Sequence, residues 1–424
     1  MLARVRGRPG PAPGRLYLAV WAVDGVVGSL VFTLNLVYQA TVVGLTPLEL
    51  VLVGTVLEIT TLVAEVPTGA FADLRGRRPA VVAGYLLLGA GFVLEGGVPA
   101  FWAVLLSQVV WGTGAAFISG AFDAWLVDAT SPEIAAPLFL RGAQLDAVGG
   151  VFGIGASVAL GWTTPRIPIV VGGLAWIGVG VVLWLVMVEH RSPPAEDVVV
   201  SPVRALGAQA TAGMRLVRRS RLLLGLTAVA LVSGLSSEAF DRLWTPQLLH
   251  VGLPSVGGLR PVAWFGIVAL VSTLVDVAVI EVVRRRLEHR GERAVALGTT
   301  LLCAGQVAAM AVFAIAVSPL VALAAYWTAR AASRTQDPLI AGWLNRHLPS
   351  EARATLLSVQ SQANALGQIV GGPVCGLVAS AAGLSAGLGL SAVLLAPAVV
   401  LLAALTRGLA RPASSSLDNL VSDY

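Results

Sequence analysis

Apolar residues run along this chain in blocks of about twenty, the length a helix needs to cross the hydrocarbon core of a bilayer, and short polar stretches separate the blocks. The blocks lie near residues 16–39, 48–71, 79–97, 100–127, 141–162, 167–188, 222–249, 261–283, 294–316, 319–343, 354–381 and 385–406. An all-α membrane protein of twelve transmembrane helices is expected. The longest polar interruption, Glu189 to Arg221, contains Pro193, Pro194, Glu196, Asp197 and six Arg residues, and it divides the blocks six and six. Four regions are therefore expected: an N-terminal six-helix bundle at 1–189, a cytoplasmic linker at 190–221, a C-terminal six-helix bundle at 222–410 and a cytoplasmic tail at 411–424.

Composition agrees with lipid as the solvent for most of the chain. Hydrophobic residues make up 56% of the sequence and charged residues only 12%, too few to cover a water-soluble surface; the mean hydropathy is +0.83. Every one of the 28 Lys-plus-Arg positions is Arg. Summed on alternate sides of the spans, 23 of them collect on one side, whereas the other side has only Arg166 and Arg260. Positive charge marks the cytoplasmic side, so both termini are expected there, in the inner membrane of a bacterium. The same clustering argues against nucleic acid as the target of the +5 net charge, because the Arg residues mark loops between spans rather than a phosphate-tracking surface. Cys303 and Cys375 lie in apolar blocks and read as small packing residues; no CxxC or His cluster suggests a metal. The first apolar run, behind Arg4, Arg6, Arg8 and Arg15, is too long for a signal-peptide core and reads as an uncleaved span.

The two sets of six blocks carry traces of duplication. A shift of 208 residues lays Phe32 on Phe240, Gln39 on Gln247, Asp73 on Glu281, and Arg77 and Arg78 on Arg285 and Arg286; a shift of 212 lays Arg141 on Arg353 and Gly155 on Gly367. Matches of charge at loop positions carry more information than matches of Leu or Ala.

The turn after the second block has Gly69, Asp73, Gly76, Arg77 and Arg78, with Leu74 after the acid. This resembles the pattern G-x-x-x-D-R-x-G-R-R between helices two and three of the major facilitator superfamily, and Leu74 stands where the family has its first Arg. The resemblance extends over the six-plus-six layout, and it implies a latch at Gly69, Asp73, Gly76, Arg77 and Arg78 that holds the two halves on the cytoplasmic side. In physical terms, Gly69 admits a neighbouring helix, Gly76 permits a tight turn, and Asp73 can face Arg77 or a helix N-terminus. Gly112 and Gly114 are similar to part of a second family motif, but the Arg that precedes it in proton-coupled members is Gln108 here. Span five lacks the Gly-Pro hinge of drug antiporters, although it has Gly149, Gly150, Gly153, Gly155 and Gly161. In span eleven, Gly367, Gly371, Gly372 and Pro373 suggest a helix break near a cavity.

Charge inside a span costs about 3 kcal/mol on insertion scales, so the ionisable residues there are pointers to function. Glu58, Asp24 and Asp146 are the proton-coupling candidates, with Arg330 or Arg334 as alternative permanent partners of Glu58. Arg330, Arg334 and Asp337 share a helix face, as do Glu238, Asp241 and Arg242. Asn35, Tyr38, Gln39, Gln108, Asp241, Arg242, Arg330 and Arg334 are candidates to line a central cavity, with Trp244 and Gln247 beside them.

A secondary active transporter working by alternating access is the expected function, and its resemblance to the drug-efflux branch implies export of a small amphipathic or hydrophobic compound in exchange for protons. The alternatives are a uniporter or proton symporter of a small polar metabolite, and, from another class, a non-transporting membrane sensor. The scattered His residues offer no enzyme chemistry, and with no phosphate-binding loop in the sequence ATP-driven pumping is unsupported. The expected partners are a small-molecule substrate, protons and the lipid bilayer, with no cofactor and no nucleic acid, and the chain is expected to be a monomer.

Overall fold

In the computed structural model the described residues are 12–189, 215, 217–218, 220–254, 258–287, 290–347 and 350–408, with side chains described outside 345–354. Most of the expected linker at 190–221 and the whole tail at 411–424 lie outside them. The described chain is all-helical: α1 Pro13–Tyr38, α2 Pro47–Arg75, α3 Arg77–Gly97, α4 Phe101–Ile118, α5 Ala121–Ala129, α6 Pro132–Leu160, α7 Arg166–Val186, α8 Arg221–Val251, α9 Pro261–Leu287, α10 Glu292–Ile315, α11 Pro319–His347, α12 Ser350–Ala382 and α13 Leu384–Gly408. Eleven segments are long and apolar enough to span a bilayer, α4 and α5 counting together as one. The twelfth membrane-length helix, α11, misses that criterion because Arg330, Arg334 and Asp337 interrupt its apolar run.

Local chemistry fixes several boundaries. A π-helical turn, Gln39–Val43, ends α1, and Gly44 follows at φ +75°. The α2 N-terminus is closed by a capping box, in which Thr46 accepts from the Glu49 N–H and the Glu49 carboxylate accepts from the Thr46 N–H. The fourth block, expected as one helix, breaks after Ile118, where Gly120 adopts φ +74° between α4 and α5. Span five begins nine residues before the expected position 141, because Pro132 occupies the first turn and the helix then runs straight through Arg141. Pro373 sits inside α12 without ending it, so the expected break is absent.

Two compact units emerge, Met1–Gly207 with Leu253–Val271, and Ala208–Gly252 with Ser272–Tyr424. In the first, α1 packs on α6, and α3 packs on α4 and α7. In the second, α8 packs on α12, and α10 packs on α11 and α13. Large apolar side chains such as Phe152, Trp184, Leu274 and Val400 remain exposed, as a lipid-facing surface requires.

The same backbone contact builds both units. A Cβ on Gly25 of α1 would lie 2.0 Å from the Asp146 carbonyl oxygen of α6, and one on Gly234 of α8 would lie 2.0 Å from that of Asn364 on α12. Likewise Gly149 faces the Ala22 carbonyl and Gly153 that of Val26, as Gly367 faces Leu231 and Gly371 faces Leu235. Small residues let membrane helices approach this closely, and dispersion then holds them without a hydrophobic driving force. These contacts set the repeat register at 209 residues between α1 and α8 (Gly25 on Gly234) and 218 between α6 and α12 (Gly149 on Gly367), correcting the expected shifts of 208 and 212. The 218 offset also relates the starts of α4 and α11, and of α7 and α13. The loop acids matched at 208 do form like ion pairs: Asp73 to Arg77 at 2.7 Å and Glu281 to Arg285 at 2.5 Å, both four residues on.

Candidate functional site

The most deeply placed carboxylate of the first unit is one the sequence did not single out. Glu95, two residues before the end of α3, is fully buried. Four neutral side chains donate to it: Asn35 Nδ2 at 2.7 Å and Gln39 Nε2 at 2.8 Å reach Oε1, while Ser107 Oγ at 3.0 Å and Gln108 Nε2 at 3.2 Å reach Oε2. Around this knot, Tyr38 OH donates to the Glu95 carbonyl at 2.6 Å, and Arg166 donates to the carbonyls of Gly96 and Gly97, closing the end of α3. The cavity reading of Asn35, Tyr38, Gln39 and Gln108 is therefore corrected: all four are 5% exposed or less, and each donates a hydrogen bond within the bundle. The signal that was present is depth, since polar residues gather at one end of spans one, three and four; Glu95 itself reads as the edge of its block.

Asp24, half-buried on α1, accepts from Tyr85 OH and from Trp176 Nε1 at 3.0 Å. Because Gly25 abuts the Asp146 main chain, two of the three proton-coupling candidates sit at a single α1–α6 crossing. Glu58 is half-buried on α2 and also engaged.

At the opposite end of α3, the motif residues form a helix cap. Gly76 has φ +110°, and a Cβ there would lie 2.7 Å from the Glu189 carboxylate, so both conformation and space demand glycine. Glu189 accepts from the Arg77 N–H at 3.1 Å and the Arg78 N–H at 2.9 Å, placing negative charge on the N-terminus of α3. Asp73 pairs with Arg77 and not with a helix N-terminus, Arg77 lies 3.7 Å from Asp128, and Arg78 donates to the Trp184 carbonyl. Each of these partners belongs to the first unit. Gly69 is exposed, and a Cβ on it would meet nothing within 4 Å, so the close helix approach expected there is absent among the described residues. Glu189 reads in sequence as the first residue of a loop. Glu189→Ala is expected to lower the stability of the detergent-solubilised protein by about 1–2 kcal/mol, seen as an earlier thermal midpoint, with Glu189→Gln losing less.

In the second unit, Trp244 of α8 and Tyr326 of α11 stack with ring centroids 4.5 Å apart, joined by Phe240 and Phe313. By the repeat offsets, Trp244 and Tyr326 occupy the positions of Asn35 and Gln108, so an aromatic stack stands where the first unit has two donors of its polar knot. Charges flank it. Arg242 pairs with the buried Glu238 at 2.9 Å, and Arg330 pairs with Asp276 of α9 at 3.1 Å rather than with Asp337 on its own helix. Asp241, Arg334 and Asp337 are exposed. Gln247 is buried and donates to the Ala314 carbonyl at 3.1 Å, so it serves packing and not a cavity mouth.

Residues 16–333 match the family model described as Major Facilitator Superfamily. The chain belongs to the major facilitator superfamily. YxaM of Bacillus subtilis (strain 168), described as an uncharacterized MFS-type transporter, is 22% identical over 348 residues, covering 80% of this chain and 82% of that protein. Among solved structures, the nucleoside transporter NupG matches with a TM-score of 0.71 at 13% identity, over 93% of this chain and 98% of that one. A bacterial homolog of the human lysosomal transporter Spinster gives 0.70 at 17% identity, over 95% and 98%, and a POT family transporter in complex with 5-aminolevulinic acid gives 0.71 at 13%, over 95% and 97%. At such identities the likeness is one of fold. The superfamily is one of transporters that bind small-molecule substrates, and the candidate spans make this chain a multi-pass membrane protein.

Proposed function

We propose that the chain is a proton-coupled secondary transporter that exports a small amphipathic compound bearing an ionised group, with both termini in the cytoplasm. The observation that carries the substrate class is the face shared by α8 and α11. There the Trp244–Tyr326 stack offers a planar apolar contact; the exposed Asp241 and the paired Arg242 and Arg330 lie within about one turn of it, and the exposed Arg334 lies one turn beyond Arg330. Exposed charge at this depth of a span costs little only on a water-filled path, which is where a transported solute passes. Proton coupling is supported by the carboxylates Asp24 and Asp146 at one helix crossing and Glu58 on α2. Uniport or proton symport of a small polar metabolite is the second reading, favoured by the two ion pairs Arg242–Glu238 and Arg330–Asp276.

The test uses the purified chain in proteoliposomes with an internal pH indicator. Lipophilic cations, amphipathic anions and small polar metabolites are added in turn under an imposed proton gradient. Proton movement provoked by amphipathic ions and reduced in Asp24→Asn or Glu58→Gln supports the export reading; solute movement without proton flux sinks it in favour of uniport. Arg330→Ala is expected to weaken apparent affinity for an anionic solute about tenfold or more, the effect of losing one charge-assisted hydrogen bond. Asp73→Ala is expected to slow the transport cycle while leaving membrane insertion intact; normal cycling would sink the latch.

A further inference from the structure

Ser107 has a single hydroxyl proton and two acceptors within reach, Glu95 Oε2 at 3.0 Å and the Val104 carbonyl of its own helix at 2.7 Å. One proton serves one of them at a time, so the knot has two complete hydrogen-bond arrangements on the same heavy atoms. With Glu95 charged, the Ser107 hydroxyl points to Oε2. With a proton on Oε2, the carboxyl donates to Ser107 Oγ across the same distance, and the hydroxyl turns to Val104. Gln108 Nε2, 3.0 Å from Ser107 Oγ, is compatible with both, because that oxygen has two lone pairs. Gln39 Oε1, on the amide whose Nε2 donates to Glu95, is buried with no hydrogen-bond donor among the described residues.

We propose that Glu95 is a proton-binding site, and that the direction of the Ser107 hydroxyl distinguishes its charged and neutral forms. Loading the proton weakens the charge-assisted bonds from Asn35 and Gln39, the residues that tie the end of α1 and its π-helical turn to α3. Such turns concentrate at functional positions of helices. Proton binding is thereby linked to the hold on α1, the helix that also carries Asp24. The other ionisable groups at this end of the helices packed on α3 are Tyr38 on the Glu95 carbonyl, Arg166 of α7 on the next two carbonyls, and Glu49, which closes the α2 cap. Nothing in α4 is ionisable. This site deepens the proton-coupled reading above, and rests on that reading only for the link to transport.

Infrared difference spectra of the full chain in lipid, recorded between alkaline and acidic buffer, test the site. A protonated-carboxyl C=O band is expected on acidification, lost in Glu95→Gln and retained in Glu58→Gln and Asp24→Asn. Ser107→Ala, which keeps the carboxyl but removes its acceptor, is expected to move that band, and it stands in if Glu95→Gln does not fold. A spectrum that neither Glu95→Gln nor Ser107→Ala alters overturns the proposal. Proteoliposome assays separate it from the transport reading: substrate-driven proton movement in the native protein, with the same pH profile in Glu95→Gln, overturns the link between the site and transport and leaves the reading standing. The Glu95 band without any substrate-driven proton movement supports the site and removes the reading.

Discussion

Gly25→Ala and Gly234→Ala are each expected to destabilise the protein by about 3 kcal/mol, at the upper end of what overpacking costs, and to do so to a similar extent. In both cases the added methyl would sit 2.0 Å from a carbonyl oxygen of the partner helix, a backbone atom that no rotamer change removes. The helices must therefore separate, and the neighbouring contacts at Gly149 and Gly153, or at Gly367 and Gly371, stretch with them. Thermal unfolding in detergent measures this directly. Gly155→Ala on the same α6 is the control, since a Cβ there meets nothing within 4 Å, and it is expected to be neutral or slightly stabilising. Equal midpoints for all three variants would refute the account of how α1–α6 and α8–α12 are joined.

Glu95→Leu is the second large effect, again about 3 kcal/mol. The substitution fills most of the volume but strands the donors of Asn35, Gln39, Ser107 and Gln108 in a buried site, each at a cost of roughly 1–3 kcal/mol before the survivors rearrange. Asn35 and Gln39 retain one bond between them, and Ser107 and Gln108 retain the Val104 carbonyl, which limits the total. Glu95→Gln keeps one acceptor oxygen and is expected to cost less than half as much. Because both variants are judged by unfolding alone, the comparison stands apart from any transport assay.

Much of the architecture was legible because lipid imposes it. A span must be long, apolar and internally hydrogen-bonded, so block length gave the helices, and α11 was recognisable although its charges weaken the signal. What periodicity does not carry is rotation about the helix axis. Asn35, Gln39 and Gln108 were legible as polar residues within spans, yet whether they turned toward a cavity or toward Glu95 depended on that rotation. Glu95 and Glu189 were missed for a related reason: each lies at the edge of an apolar block, where an acid reads as loop, although one is sealed inside the bundle and the other caps α3. The motif around Asp73 was read from its spacing, and its glycine requirement at Gly76 has a cause the pattern alone does not reveal, the carboxylate of a residue more than a hundred positions away.

The close crossing of α1 and α6 also has a consequence for biosynthesis. Gly25 is translated about 120 residues before Asp146, an interval of roughly 6–24 seconds at ordinary elongation rates. Throughout it, the nascent first helix presents a groove of exposed backbone and the Asp24 carboxylate to whatever surrounds it at the translocation machinery. The second unit repeats the wait, with Gly234 emitted well before Asn364. A ribosomal pause or an insertase that shelters the early helix would therefore affect yield at two separate points along the message, one for each unit.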